Sequence, residues 1–405
     1  MVQHRCEVAI VGGGLAGYAT ALGMAQAGFD TILLAPPPSR QDTRTTALLG
    51  RSVAFLSEIG LFPCILDRGE AIKTIRIIDD SKRLLRGPLL EFRAEEIDLR
   101  VFGYNVRNAD LLSAAQERAA TLSGLQILNE PAASLHHDDK SATLTLENGD
   151  SVVASLVVGA DGQRSLVREQ SAIRFLTWSY PQSAIVLNFS HAVPHQHASN
   201  EFHASAGPLA QVPLPGMASS LVWVEQPHLA DLYVDLKPER LAQMVEERLH
   251  SLLGAVTVDG PVARFPLRGG STVRVTGGRA ALVGEAGHVF PPIGAQGLNL
   301  GLRDAGAIVA AASANRLDPG RRPSLRRYEL ARRADILSRT LGVDVLNRSL
   351  LADFVPTQLV RAAGLSALSA FAPIKRMAMR EGLFPGAGFI GLPRSVRDAI
   401  GGRAS

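Results

Sequence analysis

The segment Cys6–Ala35, CEVAIVGGGLAGYATALGMAQAGFDTILLA, decides the fold. An apolar run from Val8 to Val11 meets Gly12-x-Gly14-x-x-Gly17, a helix-forming stretch follows to about Ala27, Gly28 ends it, and a second apolar run closes the unit. Strand, glycine turn, helix and strand in that order form the βαβ arrangement that binds a dinucleotide. Gly12 permits the tight turn, Gly14 lets the backbone approach a pyrophosphate, and Gly17 allows close packing of helix on strand. A plain α/β protein can carry a glycine-rich turn, but the flanking strands and helix favour a nucleotide site. One element is missing. The second strand normally ends in Asp or Glu for a ribose hydroxyl, whereas this chain reads Leu34-Ala35-Pro36-Pro37-Pro38. Either other groups hold the ribose or the nucleotide is bound loosely. Arg44, in Asp42-Thr43-Arg44-Thr45-Thr46-Ala47, is the nearest strong donor for phosphate or ribose.

A second informative stretch is Ala281–Gly306, ALVGEAGHVFPPIGAQGLNLGLRDAG. A short apolar strand runs into Gly284-Glu285, then a Pro-Pro turn, then a Gly-rich loop opening an alanine-rich helix. Backbone N–H groups of its first turn, around Gln296 to Asn299, lack intrahelical partners and lie at the positive end of the helix dipole. They suit an electron-rich carbonyl or an anionic ring edge. A third motif, Gly159-Ala160-Asp161-Gly162, follows the strand Ser151–Val158 and leads to Gln163-Arg164-Ser165. Ligands bind at such carboxyl ends of strands in open α/β sheets, although an Asp-Gly turn alone can simply cap a helix.

Composition narrows the function. The chain has 405 residues, 46% of them hydrophobic and 20% charged, with a net charge of +4, which describes a globular protein large enough for two or more lobes. No Lys/Arg run with interleaved aromatics argues for nucleic acid, which is set aside. Cys6 and Cys64 form neither a disulfide framework nor a metal site, so no metal is expected and the compartment is reducing. The five residues before the first strand leave no room for a signal peptide. The apolar stretch Ala362–Ile374 is shorter than the roughly 20 residues that span a bilayer.

Along the chain, Thr45–Ile59 reads as a helix and residues 72–103 as irregular strands and turns. Asn108–Ala120 reads as a helix, followed by strands at Leu125–Leu128, Ser141–Leu146 and Ser151–Val158. From Ser183 to Pro266 the pattern is strand-like, with one amphipathic helix from Pro238 to Leu253. That insertion reads as an antiparallel sheet forming the second wall of a pocket. The last third is helical. Residues 350–405 hold seven basic groups against three acids, an excess that suits either a membrane surface or a solvated helix face.

The three motifs in this order resemble the single-component flavin-dependent aromatic hydroxylases of the p-hydroxybenzoate hydroxylase fold. PPIGAQGLNLGLRD, DTRTTALL and the tail NRSLL…MREGL are similar to the ubiquinone-biosynthesis hydroxylases, the UbiH/UbiF/VisC group, and LLAPP, RTTALL and HVFPPIGAQG to its alphaproteobacterial UbiL-like branch. The resemblance implies an α/β fold of GR2 type: an FAD-binding Rossmann-like lobe (1–78, 104–178, 268–345), an inserted antiparallel-sheet substrate domain (79–103, 179–267) and a helical C-terminal region (346–405). It implies that Gly12, Gly14 and Gly17 face the FAD pyrophosphate, that Arg44 and Asn108 lie at the adenosine side, and that Asp161 and Gly162 serve FAD and NAD(P)H handling. Gly284 and Glu285 would meet the ribityl chain, and Gly297, Leu298 and Asn299 would offer main-chain groups to the flavin ring. His288 would tune the pocket or deliver a proton, with a structural role in the turn as the bland alternative, and Pro291 and Pro292 would form a rigid wall. Glu285 stands where the family usually has Asp, so FAD should be easily lost.

The implied reaction is hydroxylation of a polyprenyl phenol by O2, through a flavin 4a-hydroperoxide, with NAD(P)H or another reductant as electron source. The implied partners are a prenylated phenol or quinone precursor, a quinone-biosynthesis complex and the inner membrane surface, touched peripherally from the cytoplasm. Two other readings stay open at this point: a prenyl reductase of similar fold, and a non-catalytic lipid-binding subunit with a degenerate FAD site.

Overall fold

The computed structural model describes residues 1–37, 42–81, 87–291, 296–351 and 371–383. Val8, Ala9, Ile10 and Val11 are all buried, without alternation, as expected of a strand covered on both faces. This strand, β1 (Gln3–Val11), is central. It pairs in parallel with β2 (Thr31–Leu34) on one side and β11 (Ser151–Gly159) on the other. β8 (Leu125–Leu128) lies beyond β2, and β18 (Ala280–Leu282) and β17 (Thr276–Gly277) lie beyond β11. A hairpin of β9 (Ala132–His137) and β10 (Ala142–Leu146) attaches to β11. The chain leaves β1 toward β2 and later returns on its other flank, so the carboxyl ends of β1 and β11 border a topological switch point, where α/β sheets bind ligands.

Side chains of β1 divide by parity. Val8 and Ile10 join the core formed with α1 (Leu15–Gln26), α3 (Asn108–Ala119) and α7 (Gln296–Ser313), whereas Ala9 and Val11 pack on the opposite face with Leu144, Val157 and Val167. The helix α8 (Arg322–Leu351) packs on α7 and anchors its Tyr328 hydroxyl on the Leu282 carbonyl of β18 at 2.6 Å.

The second sheet is built on two long antiparallel strands, β12 (Phe175–His191) and β16 (Val256–Thr272). Its order runs from β19 (His288–Val289) through β16, β12, β15 (Ala218–Glu225), β14 (Pro208–Leu214), β13 (Ala198–His203) and β5 (Thr74–Asp79) to β6 (Leu90–Arg93). Ile185, Leu187 and Phe189 alternate onto one face, where α5 (Pro227–Val234) and α6 (Pro238–Arg248) cover them. A small third sheet joins β3 (Thr45–Leu49), β7 (Gly103–Arg107) and β4 (Gly69–Ile72).

Several expectations are corrected. Thr45–Ile59 is not one helix: β3 pairs with β7, and α2 (Gly50–Glu58) starts only at Gly50, whose φ of +41° breaks the chain direction. The strand β9 and helix α5 were not expected. Most of the basic tail, 352–370 and 384–405, lies outside the described residues.

Candidate active site

Three strand ends carry the three motifs to one place. Val11 of β1 pairs with Gly159 of β11, which pairs with Leu282 of β18, so Gly12, Ala160–Gly162 and Gly284 emerge side by side. Gly12 has φ +122°, and a Cβ on it would lie 2.3 Å from the Ala160 carbonyl oxygen. A Cβ on Gly17 would lie 1.9 Å from the Gly12 oxygen, which is how α1 packs against the turn. Gly13, which the spacing rule leaves free, faces Ala35, with a Cβ-to-Cβ distance of 2.9 Å. In contrast, a Cβ on Gly14, Gly162 or Gly297 would meet nothing within 4 Å. These three glycines open onto free space. Gly14 is also the N-cap of α1 with no side-chain cap, so the first N–H groups of that helix are available to an anion.

The Asp-Gly turn serves a helix start. Asp161 Oδ2 accepts from Val167 N at 3.1 Å, and the Ser165 hydroxyl caps α4 (Leu166–Gln170) by accepting from Arg168 N at 3.0 Å. Yet Asp161 Oδ1 is buried without a partner, and burial pushes the carboxyl above its ordinary range. Arg168, whose importance its sequence position did not reveal, clamps this turn to the next motif. Its Nη2 donates to Gln163 O at 2.8 Å, its Nη1 to Ala286 O at 3.0 Å, and its guanidinium lies 4.4 Å over the Phe175 ring. Gln163 Nε2 in turn donates to Glu285 Oε2 at 3.3 Å.

The Gly284–His288 loop rests on Asp304, a residue the sequence reading passed over. Asp304 Oδ2 accepts from Gly284 N at 2.9 Å and from His288 Nε2 at 2.6 Å, and Oδ1 accepts from Arg332 Nε at 2.6 Å. Asp335 then bridges Arg332 and Arg303. Burial alone would raise the Asp304 pKa, but the charges of His288 and Arg332 and the Gly284 N–H outweigh it and hold the carboxyl below its ordinary value. His288 is a buried group whose Nε2 is committed to Asp304, and its side chain is 1% exposed. Pro291 is buried beside it, and Pro292 lies outside the described residues.

Arg44 and Asn108 are brought together through Asp42, which takes Arg44 Nε at 2.8 Å and Asn108 Nδ2 at 2.9 Å. Thr46 Oγ1 donates to Asn108 Oδ1, and Arg44, paired first with Asp42, also feels the negative charge of Glu285. The Asn299 side chain is committed to β3. Its Oδ1 accepts from Leu49 N and its Nδ2 donates to Ala47 O, binding α7 to β3. Gly297 and Leu298 lie in the first turn of α7, exposed and half-buried. Gly301 also matters, since a Cβ there would sit 3.2 Å from Gly284 Cα.

An uncapped helix start behind three open glycines, an orphan carboxylate oxygen and a second helix start on the same side match a long, anionic, hydroxyl-bearing dinucleotide. FAD fits that description. The family model for the FAD binding domain matches residues 5–336. The ubiquinone hydroxylase UbiL of Rhodospirillum rubrum is 34% identical over 388 residues, covering 93% of this chain and 89% of the relative. The 3-demethoxyubiquinol 3-hydroxylase of Escherichia coli is 30% identical, covering 95% of this chain and 100% of the relative. In fold, the p-nitrophenol 4-monooxygenase PnpA of Pseudomonas putida superposes with a TM-score of 0.77 at 21% identity, over 95% of this chain and 99% of that one. The chain belongs to the FAD-binding-domain flavoproteins and, within them, to the ubiquinone-biosynthesis hydroxylases.

Proposed function

We propose that this protein hydroxylates the aromatic ring of a prenylated phenol in ubiquinone biosynthesis. It is an FAD-dependent aromatic hydroxylase that uses O2 and reduced pyridine nucleotide. The observation that carries the reading is the meeting of the three motifs at one sheet edge, in a chain that aligns along nearly its whole length with ubiquinone hydroxylases. Those relatives favour oxygen transfer over the reductase and non-catalytic alternatives.

When bound, FAD supplies the oxygen-activating chemistry that no protein side chain provides. The chain's own residues bind and orient. The α1 N-terminus at Gly14 holds phosphate, Asp161 and Glu285 accept from hydroxyl groups, and the first turn of α7 at Gly297 and Leu298 offers N–H groups to electron-rich ring atoms. The second sheet supplies the opposite wall and excludes water, which strengthens every electrostatic contact inside.

Ring position and membrane contact are finer points of the same proposal. Among the described residues no helix is long and apolar enough to cross a membrane. Peripheral contact is supported by one face of α8, where Arg326, Arg327 and Arg333 are exposed beside Leu330 and Leu337. The test of function supplies FAD-loaded protein with reductant, O2 and a prenylphenol, and weighs the product. A gain of one oxygen atom is expected. A gain of two hydrogens, or no turnover with bound flavin, overturns the reading.

A further inference from the structure

Asp304 lies on α7 in line with Leu300 and Ile308, in the middle of the helix's buried stripe, and is 0% exposed. A carboxylate in that position is stable only when its charge and lone pairs are matched. Its two oxygens take three donors from three elements: the Gly284 backbone, the His288 ring at the start of β19, and Arg332 of α8. Gly284, at φ +63°, opens the turn whose next residue, Glu285, reaches the Asp-Gly motif through Gln163. His288 pairs with Ser271 and so passes the loop to the second sheet. One carboxylate thus fixes both ends of the Gly284–His288 loop.

We propose that Asp304 is the positioning residue of the flavin site, holding the Gly284–His288 loop in the shape that receives FAD and tying that shape to α8 through Arg332. The proposal rests on the FAD reading above. A carboxylate serving only the fold would leave the cofactor's affinity and surroundings unchanged once stability was restored. A positioning carboxylate makes the two separable.

The test compares wild type, Asp304→Asn and Asp304→Asn/Arg332→Gln as FAD-free proteins. FAD affinity is read by quenching of flavin fluorescence, the ring's surroundings by visible circular dichroism, and stability by thermal melting. The single variant takes from Arg332 one of its two carboxylate partners, leaving Asp335, and this charge imbalance is expected to lower the melting temperature and weaken FAD binding at least tenfold. The double variant removes that imbalance. It is expected to melt near wild type while FAD remains at least tenfold weaker and its dichroism altered. Recovery of wild-type affinity in the double variant overturns the positioning role, as does unchanged affinity in the single variant. If Asp304→Asn does not fold, Arg332→Lys, which keeps the charge but loses the shared geometry, is expected to weaken FAD and alter its dichroism; wild-type values there overturn the proposal. Wild-type protein that takes up no FAD overturns the functional reading itself, and the proposal with it.

Discussion

Asp161, half-buried with one buried oxygen, and Asp304, fully buried, are carboxylates at the candidate site, and their surroundings push them in opposite directions. Burial raises Asp161, so the folded state disfavours its charged form; any stabilising contribution is present below the unfolded aspartate value and is lost as pH rises through the folded one. Asp161→Asn keeps an acceptor for Val167 N and removes the charge. It is expected to raise the melting temperature of the FAD-free protein at pH 7, with the gain vanishing below about pH 4, and to weaken FAD binding. A melting series over pH checks this, and equal melting temperatures at pH 7 would count against it. Asp304 is held low, so its contribution is present above the unfolded aspartate value and is lost as pH falls through the folded one. The stability gap between wild type and Asp304→Asn should therefore narrow on acidification. Glu285 is the third carboxylate. Its reach to Gln163 follows from the extra methylene relative to Asp, which would draw the charge back toward the Gly284 backbone. Glu285→Asp is expected to slow loss of FAD during extensive dialysis several-fold, and wild-type protein that retains stoichiometric FAD would contradict this.

At the scale of elements, the clamp between motifs is Arg168. It lies on the short helix α4, yet its guanidinium satisfies two carbonyls on different loops and stacks on Phe175. Lysine cannot serve two divergent acceptors in a planar fork or stack on the ring in the same way. Arg168→Lys is expected to cost about 2 kcal/mol, the scale of buried acceptors left unpaired, and to loosen FAD; urea unfolding measures the first. What the sequence revealed and what it concealed follow from the range of the forces involved. The βαβ unit was legible because Gly12 and Gly17 answer local needs, a tight turn and a helix lying on it. The strand β3 was misread because Thr45–Leu49 has the apolar content of a helix, and only pairing with β7, distant in sequence, settles it. Asp304 did carry a signal, an acid within a buried stripe between Leu300 and Ile308, but its partners come from two other segments. The Asn299 side chain bridges to β3, a contact no local pattern encodes.

At the scale of the molecule, β12 and β16 matter most, because each runs without interruption from beside the nucleotide lobe into the second sheet. Trp178 sits near the start of β12, packed on Gly269, while Trp223 is buried at the centre of the second sheet's core. The chain has only these two tryptophans, so Trp178→Phe and Trp223→Phe variants each leave one reporter. The ends of β12 and β16 beside the nucleotide lobe, the β19 pairing and the Arg168 contact couple the lobes, so the two reporters are expected to melt at one midpoint. FAD binds only where strand ends of the folded sheet converge, so it should raise both midpoints together. The scale of the effect is about 2.7 kcal/mol at a hundredfold excess over Kd. A rise confined to the Trp178 reporter would mean that FAD stabilises only the end of β12 beside the nucleotide lobe, and that the core of the second sheet around Trp223 is a wall placed beside the site rather than part of the structure FAD stabilises.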